Sequence, residues 1–246
     1  DVFLDVITPC INKIATCDTL DNYILWKLKK FPTELLNRLA PVLFDVLHSY
    51  PSNPNCYQFV EILTLINHNE TNKKALIQYI ITKIDDIENS EIVAWFVLLY
   101  QISLRDFLQE IKRIENKYTA QTDVLYSFLE RLFSKLSEQN MPDVDIDTLS
   151  ELVKLVYKYI NTNQDIHREN MGVFTPTCRD NAQHFRSHLI NLLSNNYLSR
   201  KNIPNLLELA KWFDSVDQNT ANYLRNNADK LLLKNEDPIW SESKIV

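Results

Sequence analysis

A single glycine, Gly172, serves a chain of 246 residues. Loops that cradle phosphate need several glycines, because only a residue without a Cβ brings consecutive N–H groups close to the anion at positive φ. The P-loop and dinucleotide fingerprints each demand at least two glycines at fixed spacing and cannot be written in this chain. β-Rich folds are disfavoured for a related reason, since their tight hairpins rely on Asn-Gly, Asp-Gly and Gly-Gly pairs. A helical protein remains. A helical chain without a catalytic motif is expected to be non-enzymatic and to bind a partner.

Apolar residues recur at helical spacing along most of the chain. Leu149, Leu152, Val153, Val156, Tyr157 and Ile160 form one stripe behind Asp147, the expected N-cap. Val124, Leu125, Phe128, Leu129, Leu132, Phe133 and Leu136 form another, with Glu130, Arg131 and Lys135 on the opposite side. The breaks are made by Pro, Asn, Asp and Ser, as they must be in a chain short of glycine. Pro32 opens a helix, Tyr50 to Pro54 closes it, and Pro41 is expected to split or kink what lies between. Further boundaries are expected at residues 67–71, 88–90, 140–147 and 161–164.

This pattern predicts about ten to twelve helices joined by short polar loops. The expected fold is all-α, with stacked helical hairpins forming an α-solenoid of the tetratricopeptide-like or HEAT-like kind. No strict repeat signature is present, although a helix pair of about 35 to 40 residues suits either kind. The longest irregular stretch, 161–177, divides a helical-repeat region (1–163) from a C-terminal helical region (164–246), expected to continue it.

With 45% hydrophobic residues the chain can bury a substantial core. Its net charge of −6 argues against nucleic acid as partner and leaves a protein as the expected one. Cys10, Cys17, Cys56 and Cys178 are scattered and read as reduced. Cys10 and Cys17, seven apart on one predicted helix, lie about 10 Å apart along its axis, too far to bridge. Asp1 and Asp5 stand where a signal peptide carries basic residues. No run approaches the roughly 18 apolar residues of a membrane helix, and the segment 92–104 reads as a buried helix. A cytoplasmic protein without a membrane partner or cofactor is expected. Because it starts at Asp1 without Met, it is expected to be an excised piece of a longer polypeptide.

Some residue groups carry chemistry in other proteins. His184 and His188 have the spacing of two metal ligands on a helix, but the Glu that zinc peptidases use as base is missing, and Arg186 puts a positive charge in the same turn. Asp143, Asp145 and Asp147 resemble a calcium loop without its glycine and terminal Glu, and capping of the following helix accounts for them. Cys178 beside Arg179 lacks a positioned base. Neither catalytic nor metal-binding residues are therefore assigned. The four tryptophans, like the many Tyr and Phe, belong mostly to the core, yet exposed aromatics on a solenoid's concave face are the usual anchors for a protein ligand; sequence does not separate the two classes, and Trp26, Trp95 and Trp212 are the candidate docking residues.

The least generic stretch runs from Gly172 to Arg186 and contains Thr175-Pro176-x-x-Arg179-Asp180-x-Ala182-Gln183-x-x-Arg186, followed by Leu189, Leu192 and Leu193. With the later Ala228-Asp229 and Asp237-Pro238-Ile239-Trp240, it resembles a segment in the C-terminal helical regions of large STAND (NACHT-type) NTPases, including antiviral STAND proteins of bacteria. The resemblance covers residues 172–241. It implies the sensor, or adjacent scaffold, of a larger NTPase whose nucleotide-binding module lies outside this chain. It also implies a foreign protein as ligand, a phage protein in the antiviral members, and adds Arg179 and Arg186 to the candidate docking residues. Two alternatives stand beside it. One is a helical scaffold or adaptor with a permanent host partner; the other is an all-α hydrolase built around His184 and His188.

Overall fold

In the computed structural model, residues 2–16, 22–66, 70–85, 89, 91–137, 139, 145–170, 184–187, 189 and 202–233 are described. Among them every regular element is helical and no strand occurs. The chain is an all-α protein.

The helices are α1 (Val2–Ala15), α2 (Asn22–Leu28), α3 (Thr33–Ser49), α4 (Cys56–Thr64), α5 (Glu70–Lys83), α6 (Ile92–Ile102), α7 (Leu104–Lys117), α8 (Thr122–Leu136) and α9 (Ile146–Asn170). After residues 184–187 and 189, which are also helical, come α10 (Ile203–Phe213) and α11 (Gln218–Leu233). The chain divides into two compact units, one of residues 1–128 with 139–142 and the other of residues 129–138 with 143–246, so α8 supplies residues to both.

In the first unit α3 packs on α1 and α4, α4 packs on α2 and α6, and α6 packs on α5 and α7. The centre is aromatic. Phe96 meets Phe107 edge-on at 6.0 Å and Phe128 at 5.0 Å, and Tyr100 meets Phe107 at 5.4 Å. All four rings are fully buried, an arrangement that contributes beyond its area because ring edges face ring π-clouds. Glu110, a buried carboxylate on α7, is paired with Arg113 Nε at 2.6 Å, and Arg113 Nη2 also donates to the Ile84 carbonyl at the end of α5.

In the second unit the expected stripe on α9 is buried at Leu149, Leu152, Val153, Val156 and Tyr157. α10 and α11 pack as a hairpin, and α10 touches α9. Across the hairpin turn Arg225 grips the Asp214 carboxylate with both terminal nitrogens.

The turns show how the chain manages without glycine. At the end of α3, Asn53 Nδ2 donates to the Ala15 carbonyl at 2.7 Å, closing the C-terminus of α1, while its Oδ1 accepts from the Asn55 N–H at 2.8 Å. Ser103 is the one extended residue between α6 and α7, and its hydroxyl caps the Asp106 N–H. The segment 92–104 is therefore α6 followed by Ser103 and the first residue of α7, where a second helix begins. No helix of the described residues is long and apolar enough to cross a membrane.

Three sequence expectations are corrected. Of the two outcomes expected at Pro41, a split or a kink, the split does not occur: α3 runs unbroken through it. Pro41 and Asn37, whose carbonyl loses its partner, are both exposed, so water serves that carbonyl while Leu36, Leu39, Leu43, Val46 and Leu47 hold the other face in the core. The boundary expected at 161–164 is absent, because α9 continues to Asn170. Asn161, Thr162 and Asn163 are weak helix formers, each disfavoured by only a few tenths of a kcal/mol to about 0.7 kcal/mol, and neither Gly nor Pro interrupts the run. The cap of α9 is Asp145 in place of Asp147: its carboxylate accepts from the Thr148 N–H at 2.8 Å and the Thr148 hydroxyl at 2.7 Å. The Thr148 N–H, more than any other group, holds the Asp145 carboxyl below the ordinary carboxylate range.

Candidate functional site

α2 is only seven residues long, yet its two faces differ sharply. Leu25 and Leu28 are buried, which turns Tyr23 and Trp26, three apart on the opposite side, toward solvent. Tyr23 is 69% and Trp26 46% exposed, unusual for rings of that size. Two lysines lie over them. Lys30 Nζ stands 3.4 Å from the centre of the Trp26 ring, and Lys27 Nζ is shared between Trp26 at 4.9 Å and Tyr23 at 5.5 Å. Lys29, in the turn after α2, pairs with Glu61 on α4.

α4 supplies the facing wall. Tyr23, Trp26 and Lys29 together with Tyr57, Gln58 and Glu61 line an open groove of about 550 Å³. Burial, reinforced by the Glu61 charge, pushes the Tyr57 phenol up to about 12, so it stays protonated and able to donate at any physiological pH. The Tyr57 ring rests edge-on against Trp95 at 5.4 Å, and Trp95 also meets Tyr79 at 6.3 Å.

The five candidate residues are therefore placed differently. Trp26 is on the surface, in the groove. Trp95 is 7% exposed and backs the groove through Tyr57 instead of facing solvent. Trp212 is half-buried in the second unit, against Tyr157 at 6.2 Å and Phe213 at 4.9 Å. Arg186 is half-buried in the same unit and is held by Tyr157 Oη at 3.1 Å and the Asp217 carboxylate at 3.5 Å. Arg179 lies outside the described residues, as do Gly172, Cys17, Cys178, His188 and Trp240. His184 is exposed.

Sequence reading did not single out Tyr23, Lys27, Lys30, Tyr57, Gln58 or Glu61. One signal was available for the first three. In Tyr-Ile-Leu-Trp-Lys-Leu-Lys-Lys (23–30), Leu25 and Leu28 share a face, leaving two aromatics and three lysines for the rest of one short helix. The α4 wall had none, because its pairing with α2 is tertiary.

Among the described residues no group of three or more His, Cys, Asp or Glu could hold a metal ion. Cys10 and Cys56 are free thiols, the latter buried with its Sγ 3.2 Å from the Tyr50 carbonyl oxygen. None of the protein-family models, curated proteins or solved structures compared with the chain matches it. The fold defines its class as all-α.

Proposed function

We propose that the chain is a non-catalytic protein-recognition module and that the α2–α4 groove is its docking face. The observation that carries this reading is the exposed Tyr23–Trp26 pair beside a groove of about 550 Å³. Large rings held partly in water next to a concave surface are the features that anchor protein ligands. Helix order in the first unit supports the stacked-hairpin architecture. There α4 touches both its successor in the stack, α6, and its predecessor, α2, while also pairing with α3. The resemblance of residues 172–241 to STAND NTPases supports the further reading that this is the sensor of such a protein. Its ligand would then be a foreign, phage-encoded protein, and nucleotide would bind in a module outside this chain.

The test is a pull-down with the chain as bait from uninfected and phage-infected bacterial lysates, beside a Tyr23→Ala/Trp26→Ala bait of unchanged circular dichroism. A protein captured only after infection and lost with the double variant is expected. Equal capture by both baits removes the groove from the reading. Capture of the same host protein before and after infection replaces the sensor with a scaffold, a reading to which the exposure of Val2 (81%) and Val6 (64%) on α1 lends an observation of its own.

A further inference from the structure

We propose that the α2–α4 groove takes an acidic peptide segment, in which one or two carboxylate side chains flank a large apolar one. This rests on the reading of that groove as a docking face. Lysine charges in the site have unequal roles. Lys29 is already neutralised by Glu61 and fixes α2 to α4. Lys27 and Lys30 are exposed and have no carboxylate partner among the described residues; what holds them is the ring faces of Tyr23 and Trp26. A cation resting on a π-face keeps its outward N–H donors available, so the two ammonium groups are held ready for an incoming anion at little further entropic cost. The same rings offer apolar area. Lys27 and Lys30 do not line the groove itself but stand beside it on its two aromatic rings, so the groove edge pairs aromatic surface with two adjacent positive charges, the complement of an acidic residue next to an aromatic or aliphatic one.

Its size limits the segment. A seven-residue helix is about 10 Å long, which an extended peptide crosses in about three residues. Single-stranded nucleic acid also stacks on aromatics and pairs with lysine, but its phosphates repeat along the strand, whereas the two lysines held on the rings lie within the one short stretch 27–30. A protein segment can place one or two acidic residues there and leave its other residues uncharged.

A display library of random dodecapeptides, selected on the full chain, tests the proposal. The strongest Trp26-dependent peptide is then made with each Asp and Glu replaced by Asn or Gln, and both forms are titrated against wild type and Lys27→Gln/Lys30→Gln. Selected peptides should carry Asp or Glu beside Trp, Phe or Leu, and Trp26→Ala should weaken them about 30-fold. Amide replacement in the peptide, and the lysine variant, should each weaken binding about tenfold without adding to one another, while Lys27→Arg/Lys30→Arg retains affinity. Trp26-dependent peptides indifferent to amide replacement, or losses that add, overturn the acidic partner and leave the docking face standing. A selection that yields no Trp26-dependent peptide overturns both. Tighter, Trp26- and lysine-dependent binding of a mixed-sequence single-stranded oligonucleotide overturns the proposal in favour of nucleic acid.

Discussion

Arg186, Tyr157, Asp217 and Thr220 form the densest polar cluster among the described residues of the second unit. The Tyr157 hydroxyl donates to Asp217 Oδ2 at 2.8 Å, the Thr220 hydroxyl donates to the same oxygen at 2.7 Å, and Arg186 reaches both Tyr157 and Asp217. Asp217 also caps α11, accepting from the Asn219 N–H at 3.1 Å and the Thr220 N–H at 3.3 Å. Partial burial pushes its carboxyl up, but the hydrogen bonds from Thr220, Tyr157 and Asn219 outweigh burial and leave it below the ordinary range. A carboxyl that ionises more readily in the folded state contributes stability above its unfolded value. That contribution is lost as pH falls through the folded one. Asp217→Asn should therefore cost stability near pH 7 and progressively less below about pH 4, read by thermal melts across that window. Asp217→Ala, which also removes the cap, should cost about 2–3 kcal/mol at pH 7 by urea denaturation. The likeness to STAND proteins put Arg186 among the docking residues, and sequence also left it free to pair with a carboxylate of a neighbouring helix; that the carboxylate would be Asp217, 31 residues on at the start of α11, is a tertiary fact sequence does not carry.

Elements were more legible than contacts. Buried stripes on α8 and α9 could be read from spacing alone, because a helix that must bury one face writes its period into the sequence. α4, α5 and α8 end at Thr64, Lys83 and Leu136, three to five residues before the polar clusters expected to mark their boundaries. Errors came where a local rule met a tertiary one. Proline at position 41 signals a break, yet six buried residues on the other side of α3 keep the helix whole. The penalty is still present, so Pro41→Ala should stabilise the protein by about 1–3 kcal/mol, less the small entropy that proline removes from the unfolded chain. A raised urea midpoint with an unchanged slope checks it. Ser103→Ala should act in the opposite direction, costing about 1 kcal/mol through loss of the α7 cap. Half of the groove was legible in the amphipathic pattern of α2, and half was not, since nothing local announces that α4 will lie opposite.

At the scale of the whole chain, the low glycine content pointed to the all-α class, and the chain divides into two compact units that share α8. Substitutions in the core of one are expected to loosen the helices packed around them first. Phe96→Ala, at the centre of the first unit's aromatic cluster, is expected to cost about 3–5 kcal/mol. Hydrogen exchange should show lost protection in α6 and α7, with α10 and α11 keeping theirs. The contact between Tyr57 and Trp95 reaches further than packing. One ring lines the groove, the other is sealed in the core, and they meet edge to face at 5.4 Å. Any occupant that displaces the phenol changes the surroundings of a shielded indole, so the emission spectrum of Trp95 serves as a built-in optical gauge of whether the groove is filled. Buried Trp95 is expected to emit to the blue of the solvent-facing Trp26, and replacing Trp212 and Trp240 by Phe leaves those two indoles alone to be compared.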